Sequence, residues 1–139
     1  MIKKYKAMVL SCIDPRFQPK VFNYLKRRKL ASKYSSFTIA GAAVGITNKN
    51  FKQWQKTFIE NLSISIQFHK INRLIIINHK DCGVAKLVNS KKQFNEINEN
   101  KIHEKSFKKL KKILNKKFPK LDYEFYLMNL KSSMKRFNV

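Results

Sequence analysis

Short apolar segments alternate with longer amphipathic segments along the chain. The apolar segments, rich in β-branched and aromatic residues, predict strands over residues 6–11, 36–40, 73–78 and 123–128. The third, Arg73-Leu-Ile-Ile-Ile-Asn78, has a continuous apolar run, which is typical of a strand buried on both faces. We therefore expect this strand at the centre of a sheet.

The amphipathic segments predict helices, because their apolar residues recur every three or four positions. They cover residues 17–30, 51–69, 82–88 and 101–118, with Pro119 ending the last. Residues 90–100 are polar and predict a connection, and the basic residues from about 131 predict a loose tail. This alternation indicates one α/β domain over residues 1–139, with a mostly parallel sheet of about four strands flanked by helices on both faces.

The charge of the chain is strongly positive. The 139 residues include 31 Lys and Arg against 8 Asp and Glu, which gives a formal net charge of +23. Arginine, which favours bidentate recognition of bases and phosphates, accounts for only five of the 31 basic residues. This lysine-dominated excess fits a solvated surface better than a nucleic-acid partner. A non-enzymatic basic module that binds nucleic acid stays open as one alternative.

Apolar content and cysteine usage bound the class of protein further. At 43% hydrophobic residues the chain is too apolar for intrinsic disorder. No apolar stretch approaches the roughly 18 residues of a membrane span, and none resembles an export signal. We therefore expect a cytoplasmic protein without a membrane span. Its two cysteines are too few for a disulfide framework and are expected to be thiols or metal ligands.

Two predicted strands end in residues that can carry chemistry. Cys12 follows the first strand, with Asp14 and Arg16 close behind, and His79 and Cys82 follow the third. Singly, such residues are usually a buried thiol, a surface imidazole or a local ion pair. If the two strands are neighbours, however, two thiols and one imidazole converge at their carboxyl ends. That set is the one expected of an open Zn²⁺ site, with a fourth position left for water.

At these positions the sequence resembles the β-class carbonic anhydrases. Ser11-Cys-Ile-Asp-Pro-Arg16 is similar to their Cys-x-Asp-x-Arg motif, and Asn78-His-Lys-Asp-Cys-Gly83 is similar to their His-x-x-Cys-Gly motif. Ala40-Gly41-Ala42 with Val44 resembles the glycine loop that follows the second strand of that family. The resemblance covers about residues 6–88, with the motifs in the family's order.

The resemblance implies reversible hydration of CO₂ to bicarbonate by a zinc-bound hydroxide. It implies a homodimer or a larger homo-oligomer as well. The residue roles that it carries over are zinc binding for Cys12, His79 and Cys82, catalysis for Asp14 and Arg16, and substrate binding for Gly41, Ala42 and Gly83.

Three departures from the family pattern leave the substrate open. Pro15 replaces a small residue, Asn78 stands where the family has glycine, and Thr38-Ile39 replaces an Arg-Asn pair. An alternative is therefore the same fold and zinc site acting on COS or CS₂, or without turnover. Of the other histidines, we expect His69 to have a structural role at a helix end and His103 to be exposed to solvent.

Overall fold

A five-stranded sheet forms the centre of the structure, a computed structural model that describes residues 4–89 and 93–139. The first four strands are parallel and the fifth is antiparallel to its neighbour, in the order β2-β1-β3-β4-β5. The strands are β1 (Ala7–Ser11), β2 (Tyr34–Thr38), β3 (Arg73–His79), β4 (Asp122–Met128) and β5 (Met134–Phe137). The predicted α/β class and the central position of β3 are confirmed.

Five helices lie against the two faces of the sheet. They are α1 (Gln18–Arg27), α2 (Ala43–Ile46), α3 (Lys52–His69), α4 (Gly83–Val88) and α5 (Glu96–Lys117). Successive side chains of a strand point to opposite faces, so Leu74 and Ile76 pack with α3 and α5, whereas Ile75 and Ile77 pack with α1. This arrangement explains why the apolar run of β3 is continuous.

The register of the strands brings the ends of β1 and β3 together. Ser11, the last residue of β1, pairs with Thr38 on one side and with Ile77 on the other. Cys12 therefore leaves the sheet beside the end of β3, where His79 is the last strand residue. Parallel strands end at one edge of the sheet, and this edge carries the candidate chemistry.

The structure departs from several of the predicted elements, and helix α1 ends at Arg27 instead of residue 30. The sheet has five strands instead of about four, because residues 134–137, expected in a loose tail, pair with β4. Strand β2 begins and ends two residues earlier than predicted, and the glycine loop contains the short helix α2. Helix α5 begins at Glu96 within the expected connection, where the side chain of Asn95 accepts a hydrogen bond from the Asn98 amide. Residue 90, also in that connection, lies outside the described residues, as do 91 and 92.

Among residues 4–89 and 93–139, no helix is both long enough and apolar enough to cross a membrane.

Candidate metal centre

Two thiols and one imidazole lie together at the carboxyl ends of β1 and β3. The ligand atoms of Cys12, His79 and Cys82 all lie within 4.8 Å of one another. The three side chains are buried, with 7%, 2% and 1% of each residue exposed in that order. The sequence analysis expected this convergence if the two strands are neighbours, and β1 does pair with β3. The donor set of two sulfurs and one nitrogen is suited to zinc with one open position.

The imidazole of His79 is oriented with one nitrogen toward the thiols. Its Nδ1 donates to the carbonyl oxygen of Lys80 at 2.7 Å, so in the neutral imidazole Nε2 carries the lone pair. Among the residues that the structure describes, Nε2 is buried without a hydrogen-bond partner. The ring stacks on Phe17, with centroids 4.1 Å apart. A buried nitrogen with a free lone pair beside two thiols fits a metal ion, and a backbone bond to Nδ1 is the usual way to orient a histidine ligand.

The two thiols have strongly different proton affinities. A hydrogen bond from Cys82 lowers the pKa of Cys12 to about 4, with His79 and the backbone adding to the effect. The same interaction, together with burial, raises the pKa of Cys82 far above its usual range. A divalent cation bound between the two sulfurs would be neutralised by two thiolates.

Asp14 and Arg16 form a close ion pair beside this cluster. Nη2 of Arg16 donates to Oδ2 of Asp14 at 2.8 Å and its Nε donates to Oδ1 at 3.1 Å. These hydrogen bonds lower the pKa of Asp14 to about 2. Oδ2 of Asp14 also lies 3.8 Å from Nε2 of His79. The predicted catalytic pair is therefore at the edge of the Cys/His/Cys cluster, with Asp14 ionised at neutral pH.

Arg16 also reaches a second carboxylate that the sequence analysis did not single out. Its Nη1 donates to Oδ2 of Asp81 at 3.0 Å, and its Nη2 donates to the Asp81 carbonyl at 3.1 Å. Asp81 has a positive φ of 57° and is paired with Lys86 at 2.7 Å. Arg16 therefore joins the loop after β1 to the loop after β3.

The glycine loop lies against the first thiol. Gly41 donates its backbone N–H to Sγ of Cys12 at 3.2 Å. Its φ is +77°, and a Cβ there would lie 2.7 Å from Cβ of Val84. Ala42 is fully buried at the start of α2, and Gly83 opens α4 with nothing within 4 Å of its Cβ position. The three residues thus border the cluster from two loops.

His103 is buried, so the expectation that it is exposed to solvent is wrong. None of its surface is exposed, and Nε2 lies 3.3 Å from Oε2 of Glu99. Glu99 in turn accepts hydrogen bonds from the backbone amides of Asp81 and Cys82. Burial lowers the pKa of His103 despite the neighbouring carboxylate. The i, i+4 spacing of Glu99 and His103 was visible in the sequence, but Glu99 had been assigned to a polar connection.

His69 has the structural position expected of it. It is the last residue of α3, its Nδ1 lies 2.8 Å from the Ser35 hydroxyl, and its ring packs edge-on against Tyr5.

The fold is that of the β-carbonic anhydrases: a mostly parallel α/β sheet with a Cys/His/Cys cluster at the carboxyl ends of two strands. The sequence profile of the family described as "Putative carbonic anhydrase" matches residues 2–116. The chain belongs to this family. It is also similar to an uncharacterized protein of Rickettsia bellii, with 25% identity over 130 residues, 93% of this chain and 79% of the relative. A similar uncharacterized protein of Rickettsia conorii is 25% identical over 93% of this chain and 70% of its own length.

Solved structures confirm the fold class. The β-carbonic anhydrase CafA of Aspergillus fumigatus matches 98% of this chain and 76% of its own, with a TM-score of 0.67 and 9% identity. The β-carbonic anhydrase CcaA matches 98% and 81%, with a TM-score of 0.63 and 12% identity. A tetrameric β-carbonic anhydrase of Sordaria macrospora matches 99% and 82%, with a TM-score of 0.61 and 10% identity. At such identities the likeness shows the fold.

Proposed function

We propose that the protein is a zinc-dependent carbonic anhydrase that interconverts CO₂ and bicarbonate. The observation that carries the proposal is the cluster of Cys12, His79 and Cys82, whose ligand atoms lie within 4.8 Å of one another beside an ionised Asp14. Membership of the carbonic anhydrase family supports the same reaction class.

In this proposal the three clustered side chains hold Zn²⁺. Bound there, zinc supplies a nucleophile at neutral pH, because it lowers the pKa of the water in its open position toward 7. The thiolates of Cys12 and Cys82 balance the charge of the cation. His79 contributes Nε2, since its Nδ1 is held by the carbonyl of Lys80.

Asp14 acts as a hydrogen-bond acceptor at the edge of the site. Its pKa of about 2 keeps it ionised at any pH at which the thiols can ligate a metal. In this proposal Oδ2, the oxygen nearest His79, accepts a hydrogen bond from the attacking group and so aims its lone pair at carbon. Arg16 holds both oxygens of Asp14 and thereby keeps the carboxylate from drifting onto the metal.

Gly41, Ala42 and Gly83 are proposed to border the space that CO₂ enters. Gly41 leaves room where a side chain would strike Val84. The proposed partners are CO₂ and bicarbonate, with a second copy of this chain.

We also propose a homodimer or larger assembly. In the described sheet β2 lies at one edge and pairs only with β1, so it leaves one row of backbone groups available. The proposed compartment is the cytoplasm, where a reducing environment keeps Cys12 and Cys82 as the free thiols that the structure shows.

Stopped-flow CO₂ hydration by the zinc-loaded protein tests the proposed function. The expected result is turnover by the wild type and none by Cys82→Ser, which loses one ligand. COS and CS₂ supplied to the same preparation test the alternative substrates. A zinc-loaded wild type that hydrates no CO₂ would contradict the proposal.

A further inference from the structure

A buried network of hydrogen-bonded polar side chains joins helix α5 to the loop that carries Cys82. Its members are Asn78, Glu99 and His103, with 1%, 5% and 0% of each residue exposed. None is among the proposed metal ligands or the Asp14–Arg16 pair. Buried polar groups are costly unless they are hydrogen-bonded, so the partners of each group in this network indicate which parts of the fold the network holds in place.

The direction of the hydrogen bonds follows from one backbone amide. The N–H of Ala43 can only donate, and it lies 3.1 Å from Oδ1 of Asn78, so the Nδ2 group of Asn78 faces His103. Nδ2 donates to Nδ1 of His103 at 2.8 Å. The proton of the neutral imidazole is therefore on Nε2, which points at Oε2 of Glu99 from 3.3 Å.

Glu99 is the last side chain of this network and bonds to the backbone of the second motif. Its Oε1 accepts from the Asp81 amide at 3.0 Å, and its Oε2 accepts from the Cys82 amide at 3.1 Å. Both oxygens thus hold consecutive amides, the second of which belongs to a proposed metal ligand. A carboxylate that receives two backbone N–H groups fixes the path of that backbone more firmly than a neutral acceptor would.

The same network also reaches His79, the proposed metal ligand on β3. Asn78 directly precedes His79, and its side chain bonds to α2 on one side and to α5 on the other. Glycine at position 78 could make neither bond. The side chain of Asn78 therefore couples the strand that carries His79 to the helix that holds Cys82.

We propose that Glu99, oriented by His103 and Asn78, is a positioning residue that presets Cys82 for the metal ion. The inference rests on the metal site of the proposed function and deepens it. Glu99 touches no substrate, and its effect passes through the backbone of residues 81–82. Partners behind a metal ligand commonly change metal affinity by about 10- to 100-fold when they are removed.

Titration with Co²⁺ tests this role, because thiolate-to-cobalt and d–d absorption bands report both affinity and ligand geometry without any need for turnover. Glu99→Gln keeps the size of the side chain but offers an NH₂ group where one amide needs an acceptor. We expect it to bind Co²⁺ about 10- to 100-fold more weakly than the wild type, with shifted d–d bands.

Glu124→Gln is the matched control. Glu124 is also 5% exposed and also a buried carboxylate, but it is held by Arg28 and Arg73 and not by the metal loops. It should lose stability and bind Co²⁺ as the wild type does. Wild-type affinity and spectrum in Glu99→Gln, or an equal loss in Glu124→Gln, would overturn the proposal.

His103→Leu serves if Glu99→Gln does not fold. It leaves the carboxylate but removes the Nε2–H group that orients it, so Co²⁺ affinity should fall, and an unchanged affinity would overturn the inference. A wild type that binds neither Co²⁺ nor Zn²⁺ would overturn the metal site itself. A wild type that binds them with an unaffected Glu99→Gln would overturn the positioning role alone.

Discussion

Arg16 holds Asp14 by both carboxylate oxygens, with Nη2 at 2.8 Å from Oδ2 and Nε at 3.1 Å from Oδ1. The pair is partly open to solvent, because 45% of the Arg16 side chain is exposed. An exposed ion pair contributes little to stability. The strength of this contact therefore matters for the orientation of Asp14 more than for the fold.

Asp14→Asn should lower CO₂ hydration by roughly 10- to 1,000-fold, comparable to the loss of other positioned polar groups in active sites. The amide keeps the shape of the carboxylate but loses the charge that holds Arg16 and accepts a hydrogen bond from the attacking group. Zinc content should stay at the wild-type level, because all three proposed ligands remain. Steady-state rates and elemental analysis check this, and wild-type rates at full zinc would exclude a catalytic role for Asp14.

Arg16→Ala should reduce hydration to a similar extent. Asp14 would then be free to move toward the metal position, since Oδ2 already lies 3.8 Å from Nε2 of His79. Arg27→Ala is the control, because it removes an arginine that is the last residue of α1 and lies outside the cluster. Equal losses of rate in the two variants would show that overall charge, not the contact with Asp14, is responsible.

Gly41→Ala and Gly83→Ala form a matched pair that tests the glycine loop. At position 41 the φ of +77° and the 2.7 Å approach to Val84 make a side chain costly, by about 1–3 kcal/mol of unfolding free energy. The amide that donates to Cys12 would shift as well. Position 83 has open space, so alanine there should change stability by less than about 1 kcal/mol. Denaturant unfolding measures both, and equal effects would contradict the account of the loop.

Glu124 should make stability depend on acid pH. Burial alone would raise its pKa, but hydrogen bonds from Arg28 and Tyr126 and the charge of Arg73 lower it overall. Because its pKa is lower in the folded state, ionised Glu124 contributes to the free energy of unfolding at neutral pH. This contribution is lost as the pH falls from the unfolded pKa of about 4.3 through the folded value.

Glu124→Gln should therefore cost about 1–3 kcal/mol at pH 7 and less in acid. Glu104→Gln is its control, because Glu104 pairs with Lys108 at 3.4 Å on an exposed helix face. It should cost at most about 0.5 kcal/mol at either pH. Unfolding free energies of both variants at pH 7 and in acid check this. A difference that is independent of pH would contradict the assignment of an ionised Glu124.

Association through the edge strand β2 predicts a mass of at least two chains in solution. The charge of +23 opposes self-association, so light scattering should be done at salt high enough for a Debye length below about 8 Å. Ser36→Lys places a charge on this edge and should lower the mass to one chain. Ser133→Lys, next to the opposite edge strand, should leave the mass unchanged. A wild-type mass of one chain would refute the assembly.

Strands β1 to β4 and the members of the Cys/His/Cys cluster could be predicted from sequence because local signals specify them. The β-branched run of β3 and the motifs at the ends of β1 and β3 need no knowledge of distant residues. Strand β5 gives no such signal, since its sequence Met-Lys-Arg-Phe has two charged residues. It forms because a turn brings it back along β4, with Oδ1 of Asn129 accepting from the amides of Lys131 and Ser133.

The buried histidine was missed because the start of its helix was placed too late. A helix that begins at residue 101 leaves His103 in its first, exposed turn. With the actual start at Glu96, Glu99, His103, Phe107 and Leu110 share one face, and this face packs against the sheet and α2. The polar pair on that face contacts Asn78 and Cys82, which are distant in sequence, so no local signal could reveal these contacts.

X-ray absorption at the zinc edge tests the central claim most directly, because it reports the number and kind of atoms bound to the metal. The account predicts one zinc per chain with two sulfurs at about 2.3 Å, one nitrogen at about 2.0 Å and one further light atom. Cys82→Ser should lose one sulfur or the metal altogether. Protein purified without chelators that holds no zinc, or zinc whose sulfur coordination is unchanged in Cys82→Ser, would contradict the account.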